Sequence, residues 1–157
     1  RAIEIATKKE ATIILNTAPY SDDSYQLSKS ASIVITNEIE FENFFADFTR
    51  DQKNYQNKNI KEKLSMLSKS MNKIFVVTLG GKGLVCMSGD SEIALKAAKV
   101  KVTDTVGAGD TFCGYFSSCI DQGKKLEDAL ILANNAAAIA CTKVGAQNSI
   151  PMLRDII

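Results

Sequence analysis

The chain has 157 residues, with 19 Lys and Arg against 18 Asp and Glu, a formal net charge of +1. That balance gives no global pull toward nucleic acid or an anionic membrane, and neither partner is expected. There is no His, so Ser-His-Asp triads, Cys-His pairs and His-ligated metals are excluded within the chain. Acid–base work falls to carboxylates, Lys, Tyr or Cys. The length predicts one domain, and a hydrophobic share of 45% with 24% charged residues is ordinary for a globular protein. No apolar run reaches the roughly 18–20 residues of a membrane span, and the N-terminal segment does not read as a signal peptide. The four cysteines, Cys86, Cys113, Cys119 and Cys141, form no CxxC pair and read as reduced core residues. No Asn-x-Ser/Thr sequon occurs. Together these point to an intracellular, cytoplasmic protein.

In chain order, Arg1–Lys9 already reads as helix, with Ala2, Ile5 and Ala6 at helical spacing. A chain that opens mid-helix on Arg1 looks cut into. Ala11–Leu15 is a continuous apolar run of strand length, suited to a strand buried on both faces of a parallel sheet. Pro19 ends it and biases Ala18 toward extended geometry. Ser32–Thr36 is a second buried strand. Phe41, Phe44, Phe45 and Phe48 then form a helical stripe. Residues 47–63, rich in Asn, Gln and Lys, read as a variable surface insertion leading into a helix near Ile60–Met71. Between Lys53 and Lys73 there are six Lys and one Glu, a run that reads as a solvated face because only Tyr55 offers stacking. Ile74–Leu79 is the clearest strand. Gly80, Gly81 and Gly83 follow as hairpin punctuation, and Leu84–Met87 resumes as strand. Ile93–Val102 reads as extended. Thr103–Asp110 is a loop opening a helix that Gly123 terminates near Gln122. Leu126–Thr142 is an Ala-rich helix whose small residues, on several faces, imply close packing, and Lys143–Pro151 is a closing loop. Strands alternating with helices give an α/β layered architecture.

The segment that carries chemistry is Asp104-Thr-Val-Gly-Ala-Gly-Asp110-Thr-Phe-Cys-Gly114. A glycine loop runs into a helix N-terminus, where the first N–H groups lack partners and the helix dipole is positive. Gly107 and Gly109 let the backbone approach an anion. The N–H groups around Ala108–Asp110 suit a phosphate or the charge developing on one. A carboxylate there repels a bound phosphate unless it takes up a proton during reaction, which suits a general base for an attacking hydroxyl. An N-capping Asp in a glycine-rich turn has the same local appearance. Competing phosphate motifs fail: Phe112 stands where GxGxxG needs its third glycine, and Gly81-Lys82 is followed by Gly83 rather than Ser or Thr.

The whole string DTVGAGDTFCGYF resembles the C-terminal signature of the ribokinase family of sugar and nucleoside kinases, also called the phosphofructokinase-B family. Further matches follow in order. Asn16-Thr-Ala-Pro19 resembles the family's N-x-A-P strand end, Asn37-Glu-Ile-Glu40 its N-x-x-E motif, and Thr78-Leu-Gly-Gly-Lys-Gly83 its T-L-G-x-x-G nucleotide loop. Asn134-Asn-Ala-Ala-Ala138 and Gly145-Ala-Gln-Asn-Ser149-Ile-Pro151 also match. The departures are the Asn/Lys-rich insertion and Asn148, where a Pro is more usual.

The resemblance implies a layered α/β/α sandwich with a mostly parallel sheet and an ATP-dependent kinase acting on a primary hydroxyl. The acceptor it favours is ribose, giving ribose 5-phosphate; adenosine, fructose and ketodeoxy sugar acids stay open as alternatives, as does a noncatalytic nucleotide-binding half-domain. Asp110 would be the base acting on the substrate hydroxyl. The N–H groups of Ala108, Gly109 and Asp110, with Gly107 as hinge, would hold the transferring phosphoryl group. Glu40 with Asn37 would organise Mg²⁺ through water; a helix-start carboxylate is the plainer reading of Glu40. Thr78, Leu79, Gly80, Gly81, Lys82 and Gly83 would line the nucleotide, and Asn134 would border the adenine. Asp104, the carbonyls of Val106, Ala140, Lys143 and Gly145, and Ser149 would hold a monovalent cation such as K⁺. Motifs of the family's N-terminal half, which supplies the sugar pocket and lid, are not found. Residues 1–157 therefore read as the C-terminal nucleotide-binding and catalytic half of one domain, incomplete without its N-terminal partner half and inactive as an isolated fragment. A homodimer of the full-length protein is also compatible.

Overall fold

The apolar runs pair into one sheet of five strands, in the order β1-β2-β3-β4-β5. These are β1 (Ile14–Asn16), β2 (Ile33–Asn37), β3 (Ile74–Thr78), β4 (Leu84–Ser88) and β5 (Ser91–Leu95). This is a computed structural model, and it describes residues 1–50, 55 and 57–156. β1, β2 and β3 run parallel, with Ile14 opposite Ile33 and Ile33 opposite Ile74. Helix α1 (Ala2–Lys8) precedes β1, and the long crossovers that parallel neighbours need are α2 (Asp22–Ser28) and the pair α3 (Glu38–Phe48) and α4 (Ile60–Met71). β4 returns antiparallel to β3, with Thr78 opposite Leu84, as the glycine punctuation predicts. The class is the expected mixed α/β fold with a mostly parallel sheet.

The chain divides into two compact units: Arg1–Leu79 with Leu84–Ala94, and Gly80–Gly83 with Leu95–Ile157. In the first, β-branched residues fill the central strands, and Ile33–Thr36 and Phe75–Val77 are buried on both faces. Val34, Phe75, Val77, Val85 and Met87 form a core with Phe41, Phe44 and Phe45 of α3 and Leu64 and Leu67 of α4. Phe44 meets Tyr20, Tyr25 and Phe75 edge-on at centroid distances of 6.2, 5.4 and 5.5 Å. In the second unit, α5 (Ala108–Asp121) packs against α6 (Leu126–Ala140). Phe112, Phe116 and Cys119 of α5 are buried, as is the alanine row Ala129, Ala133, Ala136 and Ala140 of α6. Gly123, at φ +71°, stops α5 while Lys124 N–H reaches Cys119 O at 3.0 Å.

Some expectations are corrected. The Ala11–Leu15 run becomes strand only at Ile14, and β1, outermost among the described strands, is half-buried in this chain. Helix α2 has too few apolar residues for its period to show; Ser21 and Ser24 cap it reciprocally. The extended segment expected over Ile93–Val102 keeps strand pairing only to Leu95. α6 stops at Ala140, its fully buried small residues lying in one row rather than on several faces, and Cys141 and Thr142 close a turn. No disulfide forms among the described residues, and Cys113 and Cys141 are only half-buried.

Of the insertion expected over 47–63, residues 51–54 and 56 lie outside the described residues. The basic run that follows is partnered. Lys61 pairs with Glu92 at 2.5 Å, Lys63 with Glu42 at 2.6 Å, and Lys69 with Asp90. Lys58 lies 6.0 Å from the Tyr55 ring centroid. The Lys73 ammonium donates to Lys29 O at 2.9 Å, and burial lowers its pKa. No helix among the described residues is long and apolar enough to cross a membrane.

Candidate functional site

The first group of candidate residues lies at the C-terminal ends of β2 and β3, the edge where open α/β sheets take ligands. Asn37 is the last residue of β2 and the N-cap of α3. Its Oδ1 accepts the Glu40 N–H at 2.9 Å, and Glu40 Oε2 accepts the Asn37 N–H at 3.1 Å. The N-x-x-E spacing therefore has a folding reason of its own, a reciprocal capping box. Glu40 is nonetheless buried, 8% exposed, and is not the solvent-facing carboxylate of an ordinary helix start. Its Oε2 takes a second bond, from Thr17 Oγ1 at 3.3 Å. Its Oε1 bonds to no described residue and is absent from the sealed, unpartnered atoms, so it stays open to a ligand. Register sets Asn37 opposite Thr78, whose Oγ1 donates to Thr36 O at 3.3 Å. Leu79 packs against the phenylalanine core. Thr36 Oγ1 is buried with no partner among the described residues.

In the second unit, Gly80–Lys82 makes a tight 3₁₀ turn, closed by Gly83 N–H to Gly80 O at 3.0 Å. Gly83, at φ +104°, must be glycine, because a Cβ would fall 1.9 Å from Leu95 O and 2.7 Å from Ala97 N. Asn134 of α6 donates from Nδ2 to Lys96 O at 2.9 Å. Gly83 and Asn134 thus meet the same short segment, residues 95–97.

The glycine loop ahead of α5 is built separately. Gly107 is the N-cap of α5 at φ +78°, and a Cβ there would sit 2.9 Å from Ala146 Cα. Thr111 N–H closes onto Gly107 O at 2.8 Å, and Ala108 N–H reaches Thr105 O at 3.3 Å. The N–H groups of Gly109 and Asp110 have no acceptor among the described residues, and a Cβ on Gly109 would meet nothing within 4 Å. Asp110 is exposed, and its carboxylate makes no hydrogen bond with a described residue. Two exposed residues at the helix start thus carry amides without a described acceptor and a carboxylate without a described partner, groups that suit an anion and leave a base available.

Asp104 ties this loop to the segment after α6. Its Oδ1 accepts Val106 N–H at 3.0 Å and its Oδ2 accepts Gly145 N–H at 2.9 Å. Those N–H groups, Gly145 foremost, then Val106 and Thr105, hold its pKa below the usual carboxylate value. Burial, then Asp104, raises the Cys141 thiol, and burial pushes Cys86 up to about 12. Tyr115 OH donates to Pro151 O at 2.6 Å. Ser149 is fully buried and donates to Ala146 O at 2.8 Å. Of the expected cation ligands, Ala140 O already accepts Lys143 N–H at 3.2 Å, while the carbonyls of Val106, Lys143 and Gly145 accept no bond from a described residue. The set is made of hard oxygens throughout, as an alkali or alkaline-earth ion requires. No cluster of three or more His, Cys, Asp or Glu suited to a metal occurs among the described residues.

Sequence reasoning missed Thr17 and the orphaned Thr36 and Thr111 hydroxyls. A threonine at a strand end carries no signal of a partner 23 residues away.

The profile of the pfkB family carbohydrate kinases matches residues 1–153. A ribokinase of Schizosaccharomyces pombe is 34% identical over 99% of this chain and 48% of its own length. The crystal structure of a ribokinase from Thermotoga maritima superposes with a TM-score of 0.86 at 28% identity, covering 99% of this chain and 50% of the other. An Arabidopsis thaliana ribokinase, solved complexed with ribose and ATP, superposes with a TM-score of 0.79 at 25% identity, over 98% and 50% of the two chains. The chain spans about half the length of the curated relatives it matches.

Proposed function

The chain belongs to the pfkB family of carbohydrate kinases, and on that premise we propose that it is the C-terminal nucleotide-binding and catalytic half of a cytoplasmic, ATP-dependent sugar kinase. The sugar is ribose, phosphorylated on its primary 5-hydroxyl. The S. pombe and A. thaliana relatives, ribokinases by name, the latter complexed with ribose and ATP, support this acceptor. The substrate-side half lies in the rest of the protein.

The observation that carries the reading is the free Asp110 carboxylate beside the free Gly109 and Asp110 amides. Asp110 takes the proton of the sugar hydroxyl as its oxygen attacks the γ-phosphorus. The bond from that phosphorus to the bridging oxygen breaks, and ADP leaves with the electron pair. The amides hold the charge on the transferring phosphoryl group, at a helix start whose N-cap, Gly107, has no room for a Cβ beside Ala146. Positioning and charge stabilisation of this kind supply most of the rate in phosphoryl transfer.

The remaining roles follow the family pattern. Thr78 to Gly83 line the nucleotide, and Asn134 borders its base. Asn37 presents its free Nδ2 to a phosphate. Glu40 would hold waters of Mg²⁺ through Oε1; when bound, that ion would neutralise phosphate charge. Asp104, Ser149 and the carbonyls of Val106, Ala140, Lys143 and Gly145 would hold a monovalent cation such as K⁺.

The test offers the intact protein ATP–Mg²⁺ with ribose, fructose, adenosine or a ketodeoxy sugar acid. ADP release is measured, and the phosphorylated product is identified by mass spectrometry. Ribose should give the highest kcat/KM. Tight ATP binding without transfer to any acceptor would favour a noncatalytic nucleotide-binding half instead.

A further inference from the structure

We propose that Thr17 is a positioning residue for the Glu40 carboxylate: its hydroxyl fixes the plane of that carboxylate so that Oε1 is held out toward the metal's waters. The proposal rests on the Mg²⁺ role given to Glu40 above.

Thr17 follows directly on β1 and is 2% exposed. Its N–H donates to Ile35 O at 3.0 Å, extending the β1–β2 ladder past Asn16 and anchoring its backbone. Its hydroxyl has one proton and two acceptors in reach, Glu40 Oε2 at 3.3 Å and Ile35 O at 3.4 Å. The carboxylate is the stronger acceptor, since bonds to ionised groups are roughly twice as strong as neutral ones, and Ile35 O already has the Thr17 N–H.

The terminal torsion of a glutamate is soft and broad. Held only by the Asn37 N–H, the Glu40 carboxylate could swing about that single bond. Thr17 adds a second donor to the same oxygen from a different strand. Together they consume Oε2 and leave Oε1 the only oxygen without a described partner. At 3.3 Å the hydroxyl contact is long, so it contributes orientation more than stability, and its removal should leave the fold intact.

The experiment uses the intact protein as wild type, Thr17→Val, Thr17→Ser and Glu40→Gln. Mn²⁺ serves as the metal probe, its binding to the protein–ATP complex followed by paramagnetic resonance. ATP affinity without metal and melting temperature are measured alongside. Thr17→Val should weaken Mn²⁺ binding about tenfold, the low end for loss of a group that orients a metal ligand. Its metal-free ATP affinity and melting temperature should be unchanged, and Thr17→Ser should restore Mn²⁺ binding. Wild-type Mn²⁺ binding in Thr17→Val, with Glu40→Gln impaired, would overturn the role of Thr17 and leave that of Glu40 standing. Wild-type binding in Glu40→Gln would overturn the reading of Glu40 itself. Equal losses in Thr17→Val of melting temperature and metal-free ATP affinity would make Thr17 merely structural.

Discussion

On the proposed function, the Glu40 corner and the Gly107–Asp110 loop solve the same problem, holding polar groups ready for a charged ligand, by opposite means. At Glu40 the side chains do the holding. Asn37, Glu40 and Thr17 spend most of their hydrogen-bonding capacity on one another, and one carboxylate oxygen and one amide nitrogen are left over. At the loop the backbone does the holding. Gly107 is pinned by its left-handed conformation and by Ala146, and the reactive groups of Gly109 and Asp110 carry no structural duty. Substitutions in the first region should therefore misdirect the groups left over while the fold stands, whereas in the loop the effects on stability and on function should separate residue by residue.

The sharpest separation is expected at Asp110. Asp110→Asn should lower turnover of the intact protein by about 10²–10⁴-fold, the usual contribution of a general base. Its melting temperature should match wild type, since the carboxylate is exposed and bonds to no described residue. Steady-state kinetics beside a thermal melt checks both halves.

The two loop glycines should part next. Gly107→Ala forces a Cβ onto Ala146 at a positive φ and should cost about 1–3 kcal/mol in denaturant unfolding. Gly109→Ala has open space around it and should change stability by less than about 1 kcal/mol, yet weaken ATP binding by calorimetry, because its methyl group enters the space facing the free amides.

Asp104 should show a pH signature. Its pKa is depressed in the fold by the Gly145, Val106 and Thr105 N–H groups. The stability it contributes is thus fully present above the unfolded carboxylate value of about 3.9 and is lost as pH falls through the lower folded value. Asp104→Asn should melt below wild type at neutral pH, and the gap should close in acid below that value.

The smallest effect separates two buried threonines of the first unit. Thr17 has acceptors, whereas the Thr36 hydroxyl has none. Thr36→Val removes an unsatisfied buried hydroxyl and should stabilise the protein by about 1 kcal/mol in denaturant unfolding. A loss of similar size would show that the hydroxyl has a partner.

The central strands and the phenylalanine stripe were legible because their burial is written in local pattern. Ile33–Ile35 and Ile74–Val77 are β-branched or aromatic runs, and Phe41, Phe44 and Phe45 repeat at helical spacing. Gly123 announced the end of α5 because only glycine enters that turn without strain. α2 was not legible, since its seven residues bury only Ser24 and Ser28. The parallel pairing of β1 with β2 depends on which strand meets which, and no run of apolar residues encodes that. Among the candidate residues, the glycine loop stood out by spacing, while the close approach of Leu95–Ala97 to Gly83 and the Thr17–Glu40 bond are tertiary facts. The N-x-x-E spacing carried a double meaning: it is a capping box by geometry and a ligand motif by resemblance.

The central claim is that the free amides at the start of α5 hold the transferring phosphate. The most direct test is an amide-resolved NMR titration of the intact protein with ATP in the presence of Mg²⁺. The Gly109 and Asp110 amide resonances should shift strongly and saturate with the nucleotide. Saturating ATP binding that leaves both resonances in place would contradict it.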